Sequence, residues 1–198
     1  LEGHFILSSG LRSSRYLQCA RVLMDPARAA RLADALAAKL PAPVRHSIDV
    51  VLSPAMGGII IGHEMGRALG REAMFLERPD GVFELRRGFA LAPGARALMV
   101  EDVVTTGLSS REAIAAAERA GAVVVAEVAL VDRSGGSVDL GVPFGKDLGL
   151  TFYTLDVKTI SSGITVGATG SDDPVGTSST STNSTAATDS TESADDGD

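Results

Sequence analysis

The chain has no Trp, a single Cys (Cys19), only two Tyr and, past Lys158, no Lys or Arg at all. A lone Cys cannot form an intramolecular disulfide or a cysteine zinc site, so the expected compartment is a reducing, cytoplasmic one. The longest uncharged apolar stretch lies between Asp49 and His63 and is broken by Pro54, Gly57 and Gly58. It is too short and too interrupted for a bilayer-spanning helix, so no membrane partner is expected. The amino end, Leu1-Glu2-Gly3-His4, has no basic segment of a signal peptide and no initiator Met, which points to a trimmed start. With so few aromatic rings for base stacking and no basic excess, nucleic acid is an unpromising partner.

The acidity is local. Of 25 acids, the seven at Asp172, Asp173, Asp189, Glu192, Asp195, Asp196 and Asp198 lie beyond Lys158, leaving 18 acids against 18 bases in residues 1–158. Residues 159–198 also lack Leu, Phe, Tyr and Trp. Too little apolar surface remains there to offset the entropy of ordering, so this Ser/Thr-rich acidic tail is expected to be disordered. The folded unit is expected to be residues 1–158.

Within that unit, strand-like and helix-like segments alternate. Pro26 opens an Ala-rich helical stretch that Pro41 and Pro43 end. Ile48 to Leu52 is a buried strand, followed by the turn Ser53-Pro54-Ala55-Met56-Gly57-Gly58 and a helix to Leu69 stopped by Gly70. Ala73 to Leu76 is strand-like, and Val82 to Phe89 after the turn Arg78-Pro79-Asp80-Gly81 reads as the arms of a mobile hairpin. Ala97 to Val100 is another buried strand, Ser110 to Ala120 a helix closed by Gly121, Ala122 to Val131 a long β-branched run, and Phe152 to Val157 a last strand. The alternation predicts an α/β fold with a mostly parallel central sheet flanked by helices. The short echo between Asp139-Leu-Gly-Val-Pro-Phe and Asp147-Leu-Gly-Leu-Thr-Phe has no evident physical role.

The chemistry concentrates in Leu98-Met-Val-Glu101-Asp102-Val103-Val104-Thr105-Thr106-Gly107-Leu108-Ser109-Ser110. A strand ends in two carboxylates, and a hydroxyl/glycine loop leads into a helix. Such a loop can aim backbone N–H groups and hydroxyls at one phosphate, with the helix N-terminus adding partial positive charge. Ser109-x-x-Glu112 fits a capping box, which predicts a helix start at Ser109. No Gly-Lys-Ser/Thr of a Walker loop and no Gly-x-Gly-x-x-Gly follow a strand. A phosphate loop with two acids just before it suggests a sugar phosphate, Glu101 and Asp102 meeting ribose hydroxyls or a Mg²⁺ shell. His4, His46 and His63 have no metal-ligand spacing, and Cys19 reads as a small buried residue. Arg86-Arg87 would be an ordinary solvated pair were it not on a Gly-flanked loop.

This segment resembles the phosphoribosyl-pyrophosphate (PRPP) signature of type I phosphoribosyltransferases. Gly3-His4-Phe5-Ile6-Leu7-Ser8-Ser9-Gly10-Leu11-Arg12-Ser13-Ser14-Arg15-Tyr16-Leu17-Gln18 looks like the base-site region of the orotate phosphoribosyltransferase family. Ser53-Pro54-Ala55-Met56-Gly57-Gly58-Ile59 is similar to that family's pyrophosphate loop, Glu77-Arg78 to Arg86-Arg87-Gly88-Phe89 to its catalytic loop, and Leu130-Val131-Asp132-Arg133 to its orotate-contacting strand end. The collinear match covers residues 3–157.

The resemblance implies a Rossmann-like core and transfer of a phosphoribosyl group from PRPP to orotate with Mg²⁺. It implies that Glu101, Asp102, Arg86 and Arg87 are catalytic, and that Met56, Gly57, Gly58, Arg78 and Glu101 through Ser109 (including Val103, Val104, Thr105, Thr106, Gly107 and Leu108) bind PRPP. Tyr16, Leu17, Thr105 and Arg133 would bind orotate. No protein residue would hold the metal directly, since Mg²⁺ would arrive on PRPP and sit near Glu101 and Asp102. A homodimer is implied, with loop 78–88 reaching the neighbouring site. Ser8 and Gly57 stand where many members carry Lys, which shifts cationic weight to Arg12, Arg15 and the loop arginines. Two rivals remain at this stage. A salvage phosphoribosyltransferase for another base needs no cation for a base carboxylate, and a non-catalytic nucleotide- or RNA-binding regulator of the same fold would bind without turnover.

Overall fold

The computed structural model describes residues 2–6, 12–15, 18–134 and 151–155. The boundary at residue 158, the tail 159–198, the echo at 139–144, Ser8, Tyr16 and Leu17 lie outside the described residues. The strands β1 (Glu2–Ile6) and β2 (Arg12–Arg15) pair antiparallel as a separate ribbon.

The remaining strands are β3 (Val50–Pro54), β4 (Glu72–Glu77), β5 (Glu84–Leu85), β6 (Arg96–Val104), β7 (Val123–Asp132) and β8 (Thr151–Leu155), ordered β5-β4-β3-β6-β7-β8 in one sheet. All neighbours are parallel except β4 and β5. On one face lie α1 (Cys19–Leu23), α2 (Pro26–Lys39) and α4 (Gly58–Leu69), whose Leu23, Leu32, Leu36, Ile61 and Met65 pack on Val51, Leu98, Val100 and Val128. The other face is covered by α5 (Leu108–Arg119), with Ala113, Ile114 and Ala117 against Val50, Leu52, Met99 and Val124. The strands read as apolar runs because both faces are covered. This is the α/β class the alternation predicts.

Local chemistry explains the edges of these elements. The Asp25 side chain accepts from Arg28 N at 3.1 Å and caps α2, with Pro26 at its first position. The helix ends at Lys39 as expected, but Pro41 and Pro43 also open a short α3 (Ala42–Ser47) that the sequence reading does not anticipate. Asp49 binds both backbone groups of Arg96, its N donating to Arg96 O at 2.8 Å and its carboxylate accepting from Arg96 N at 2.9 Å, which aligns the starts of β3 and β6. In α4, Gly58, Gly62 and Gly66 recur every fourth residue on the sheet-facing side. A Cβ at Gly62 would lie 2.5 Å from Ser53 Oγ, so the helix sits closer to β3 than any other residue would allow.

The strand expected over Ile48–Leu52 runs from Val50 to Pro54, taking in two residues of the expected turn, and three other boundaries that bear on the site also differ from expectation. The first arm of the hairpin is the end of β4, not Val82: Leu76 and Glu77 pair with Leu85 and Glu84. The strand β6 does not stop at the acids but continues to Val104, because Glu101, Val103 and Val104 keep their pairing with Ala129, Val131 and Asp132 of β7. The helix α5 begins at Leu108 with Gly107 as its N-cap, one residue before the expected start, and no capping box forms.

Candidate active site

In a parallel sheet of this order the chain runs outward from β3 through β4 to one edge and from β6 through β7 to the other. The crevice lies between β3 and β6, at their carboxyl ends, where ligands of such sheets bind. The segments after β3 (residues 55–58), after β6 (105–107) and after β7 (Arg133) all emerge on this edge, as does the hairpin turn after β4. Ala55 N donates to Leu76 O at 2.8 Å, and the Ala55–Met56 peptide is cis. Met56 and Gly57 are exposed, and Gly58 opens α4.

The loop itself is shaped by one residue. Gly107 has φ +75°, ψ 2°, a left-handed conformation that an L side chain rarely adopts. Thr106 Oγ1 accepts from Leu108 N at 3.4 Å, and Arg111 N returns to Gly107 O at 2.9 Å. Thr105 is half-buried, Thr106, Leu108 and Ser109 are exposed, and the first turn of α5 points its amide end into the crevice. The missing capping box has a cause: the Ser109 side chain lies against Glu101, and Glu112 is held by an ion pair with Arg78.

Adjacent residues on a strand point to opposite faces, so the acid pair is split by the sheet. Asp102 faces α1 and α4. It is half-buried, its Oδ1 accepts from Val103 N at 2.9 Å, and its carboxylate lies 2.6 Å from where a Cβ on Gly57 would stand. Burial raises its pKa, and the backbone N–H bonds work against that rise. Its charge, added to burial, pushes the Cys19 thiol up to about 12, so Cys19 is a protonated, buried residue rather than a nucleophile.

Glu101 faces α5 and is 5% exposed. Burial first, then the charges of Asp102 and Glu127, hold its pKa well above the carboxylate range, opposed by the Ser109 side chain and the charge of Arg78. Of the two acids, Asp102 is the one with access to the crevice.

Among the arginines, Arg78 spans the mouth. It pairs with Glu112, stacks 4.1 Å over the Phe83 ring and acts on Glu101 from there. Arg87 is committed to the hairpin stem, with its Nε and Nη2 on the Glu77 carboxylate at 3.0 and 2.8 Å and its guanidinium 5.7 Å from the Phe75 ring. That bond lowers the Glu77 pKa. Arg86 is exposed. Arg133 is half-buried, and its N donates to Val104 O at 2.8 Å, which sets it beside Thr105. A separate cleft of about 570 Å³, lined by His63, Arg67, Arg71, Met74 and Phe89, lies between α4 and the start of β4, away from this edge.

One residue here was not singled out from the sequence. Glu127 lies in the apolar run of β7, fully buried, and neither carboxylate oxygen has a hydrogen bond of good geometry. Burial raises its pKa from 4.5 to about 7, and the facing Ser110 hydroxyl offsets the rise only in part. A carboxyl that binds its proton more tightly when folded stabilises the fold fully below the unfolded value and loses that stabilisation as pH rises through the folded one. Glu127 is therefore expected to contribute a fall in stability of about 3 kcal/mol between pH 4.5 and about 7, added to the falls of the same sign from Glu101 and Asp102. In Glu127→Gln the Glu127 share of this fall should vanish and the slope become shallower, as denaturant melts across that window would show. A variant with the wild-type pH slope would locate the titration elsewhere.

No helix among the described residues is long and apolar enough to cross a membrane. No family model matches the chain. The orotate phosphoribosyltransferase of Novosphingobium aromaticivorans is 72% identical over 154 residues, spanning 78% of this chain and 79% of that protein. The orotate phosphoribosyltransferase of Rhizorhabdus wittichii is 74% identical over 144 residues, spanning 73% and 74%. The crystal structure of orotate phosphoribosyltransferase from Aeropyrum pernix matches with a TM-score of 0.60 at 27% identity, covering 81% of this chain and 89% of that one. With three quarters of the chain this similar in sequence to curated members, the chain belongs to the orotate phosphoribosyltransferase family.

Proposed function

We propose that the chain transfers the 5-phosphoribosyl group of PRPP to orotate, giving orotidine 5′-monophosphate and pyrophosphate, a step of UMP biosynthesis in the cytoplasm. The observation that carries this reading is the convergence of the Thr105–Ser109 loop, Asp102 and Arg133 at the β3–β6–β7 edge. The loop amides and the α5 N-terminus receive the 5-phosphate. Asp102 faces the ribose hydroxyls across the crevice, and Glu101, beside Ser109, backs the loop from the other face. Met56, Gly57 and Gly58 present backbone to the pyrophosphate. Arg133 and Thr105 read orotate, with Tyr16 and Leu17 assigned to the pyrimidine face.

As pyrophosphate leaves, positive charge grows on the sugar and negative charge on the leaving group. The residues have no bond to make, and their work is to clamp charge and exclude water. Arg78 covers the mouth, and Arg86 and Arg87 belong to the same closing loop. For Arg87 to act it must exchange Glu77 for the leaving group. Mg²⁺ typically keeps most of its ligands from water and substrate phosphates, so it would arrive on PRPP and sit near the accessible carboxylate of Asp102. Bound with PRPP, the ion neutralises the leaving pyrophosphate. A homodimer in which loop 78–88 closes on the neighbouring site is part of the same proposal, supported by Val82 standing 57% exposed on that loop.

An absorbance assay with PRPP, Mg²⁺ and a panel of bases tests the reading. Orotate is expected to be consumed, and adenine, hypoxanthine and uracil are expected to be left. Turnover of one of those three without orotate would overturn the base assignment.

A further inference from the structure

The reaction as described gives Glu127 no task, yet its placement is unfavourable. It is the single charged residue between Val123 and Val131 of β7, nothing of it reaches solvent, and both oxygens lack a well-formed hydrogen bond. An apolar residue of similar size there would avoid the cost of desolvating a carboxyl. What Glu127 faces is therefore informative. Its register partner is Met99, two residues before Glu101 on the same side of β6, and its charge is felt by Glu101. Across the seam stands Ser110, 2% exposed, in the first turn of α5. That turn follows directly on Gly107, whose left-handed backbone shapes the phosphate loop. Two contacts of the loop with the sheet thus lie side by side: Ser109 on Glu101 and Ser110 facing Glu127.

We propose that Glu127 is a positioning residue for PRPP, a buried polar group in the seam of β6, β7 and α5 that seats the Ser110 turn and so fixes the phosphate loop over Glu101. The proposal rests on the reading of Thr105–Ser109 as the phosphate site. Glu127 touches no substrate, and its effect passes through Ser110. A polar group that merely fills space would set stability alone, whereas a positioning group sets the affinity for one substrate.

Steady-state kinetics on the full chain, with PRPP and orotate varied separately, separates these roles for the wild type, E127Q, E127L and S110A. E127L and S110A should each raise KM for PRPP about tenfold, the size of one lost polar contact, with KM for orotate unchanged. E127Q keeps a hydrogen-bonding group of the same shape and should stay within about twofold of wild type. Folded E127L with wild-type KM for PRPP, or with both KM values raised equally, would overturn the proposal. S110A with wild-type KM would overturn it alone, which settles the matter even if E127L does not fold. A wild-type chain that binds PRPP in calorimetry without turning over orotate would instead defeat the base assignment, and the ranking of the four proteins by PRPP affinity would still test Glu127.

Discussion

Arg133→Ala should raise KM for orotate by roughly thirty- to thousand-fold while leaving KM for PRPP nearly unchanged. The geometry behind this is backbone-fixed. Arg133 follows the last residue of β7, and its N donates to Val104 O at 2.8 Å, so its position is tied to the end of the acid-bearing strand. One residue on, Ser134 N donates to Asp132 Oδ1 at 2.7 Å, turning the chain away and leaving Arg133 at the rim beside Thr105. A guanidinium there can donate two parallel hydrogen bonds to the carboxylate that distinguishes orotate from the other pyrimidines. Loss of one such charged, partly desolvated contact costs about 2–4 kcal/mol, which sets the fold-change. Arg133→Lys keeps the charge but not the fork and should fall between the two. Equal loss for both substrates would mean that Arg133 supports the loop rather than the base, and unchanged orotate kinetics would remove it from the site.

Arg133 can be proposed from sequence because so much of the proposed site is local. Thr105 to Ser109 and the strand before it are contiguous, so the proposed phosphate loop is legible as a motif, and the apolar runs of β3, β6 and β7 with their glycine and proline stops point to the sheet class. What could not be read were relations between segments. Nothing in a one-dimensional sequence says that β6 continues past its acids, since that extension exists only because β7 stays paired as far as Asp132. The spacing predicts a capping box at Ser109, and it does not form because Ser109 lies against Glu101 and Glu112 is paired with Arg78. Treating Glu101 and Asp102 as one unit overlooked strand alternation, which sends them to opposite faces of the sheet. Two signals were present and unused: the Gly58, Gly62, Gly66 repeat that seats α4, and a lone Glu in a β-branched run.

Asp102→Asn should lower kcat/KM by roughly thirty- to thousand-fold, expressed through PRPP rather than orotate. Asn has nearly the volume of Asp, so the packing around residue 102 is preserved and the change isolates the charge. Asp102 is the acid of the pair that reaches the crevice, facing the Met56–Gly58 backbone across it, whereas Glu101 is 5% exposed. Gly57→Ala approaches the same carboxylate from the other side. Its Cβ would stand 2.6 and 2.7 Å from the two Asp102 oxygens, closer than atoms can sit, so the carboxylate must swing away. A smaller loss of the same parameter is expected, with the fold unaffected because Gly57 is exposed and its backbone is right-handed helical, with φ −61°. Since both substitutions act through where Asp102 puts its charge, the double variant should lose less than the product of the single losses. If the losses simply multiply, Gly57 acts on the pyrophosphate by itself. If Asp102→Asn keeps wild-type kcat/KM for PRPP, the sugar is held somewhere other than the β3–β6 crevice.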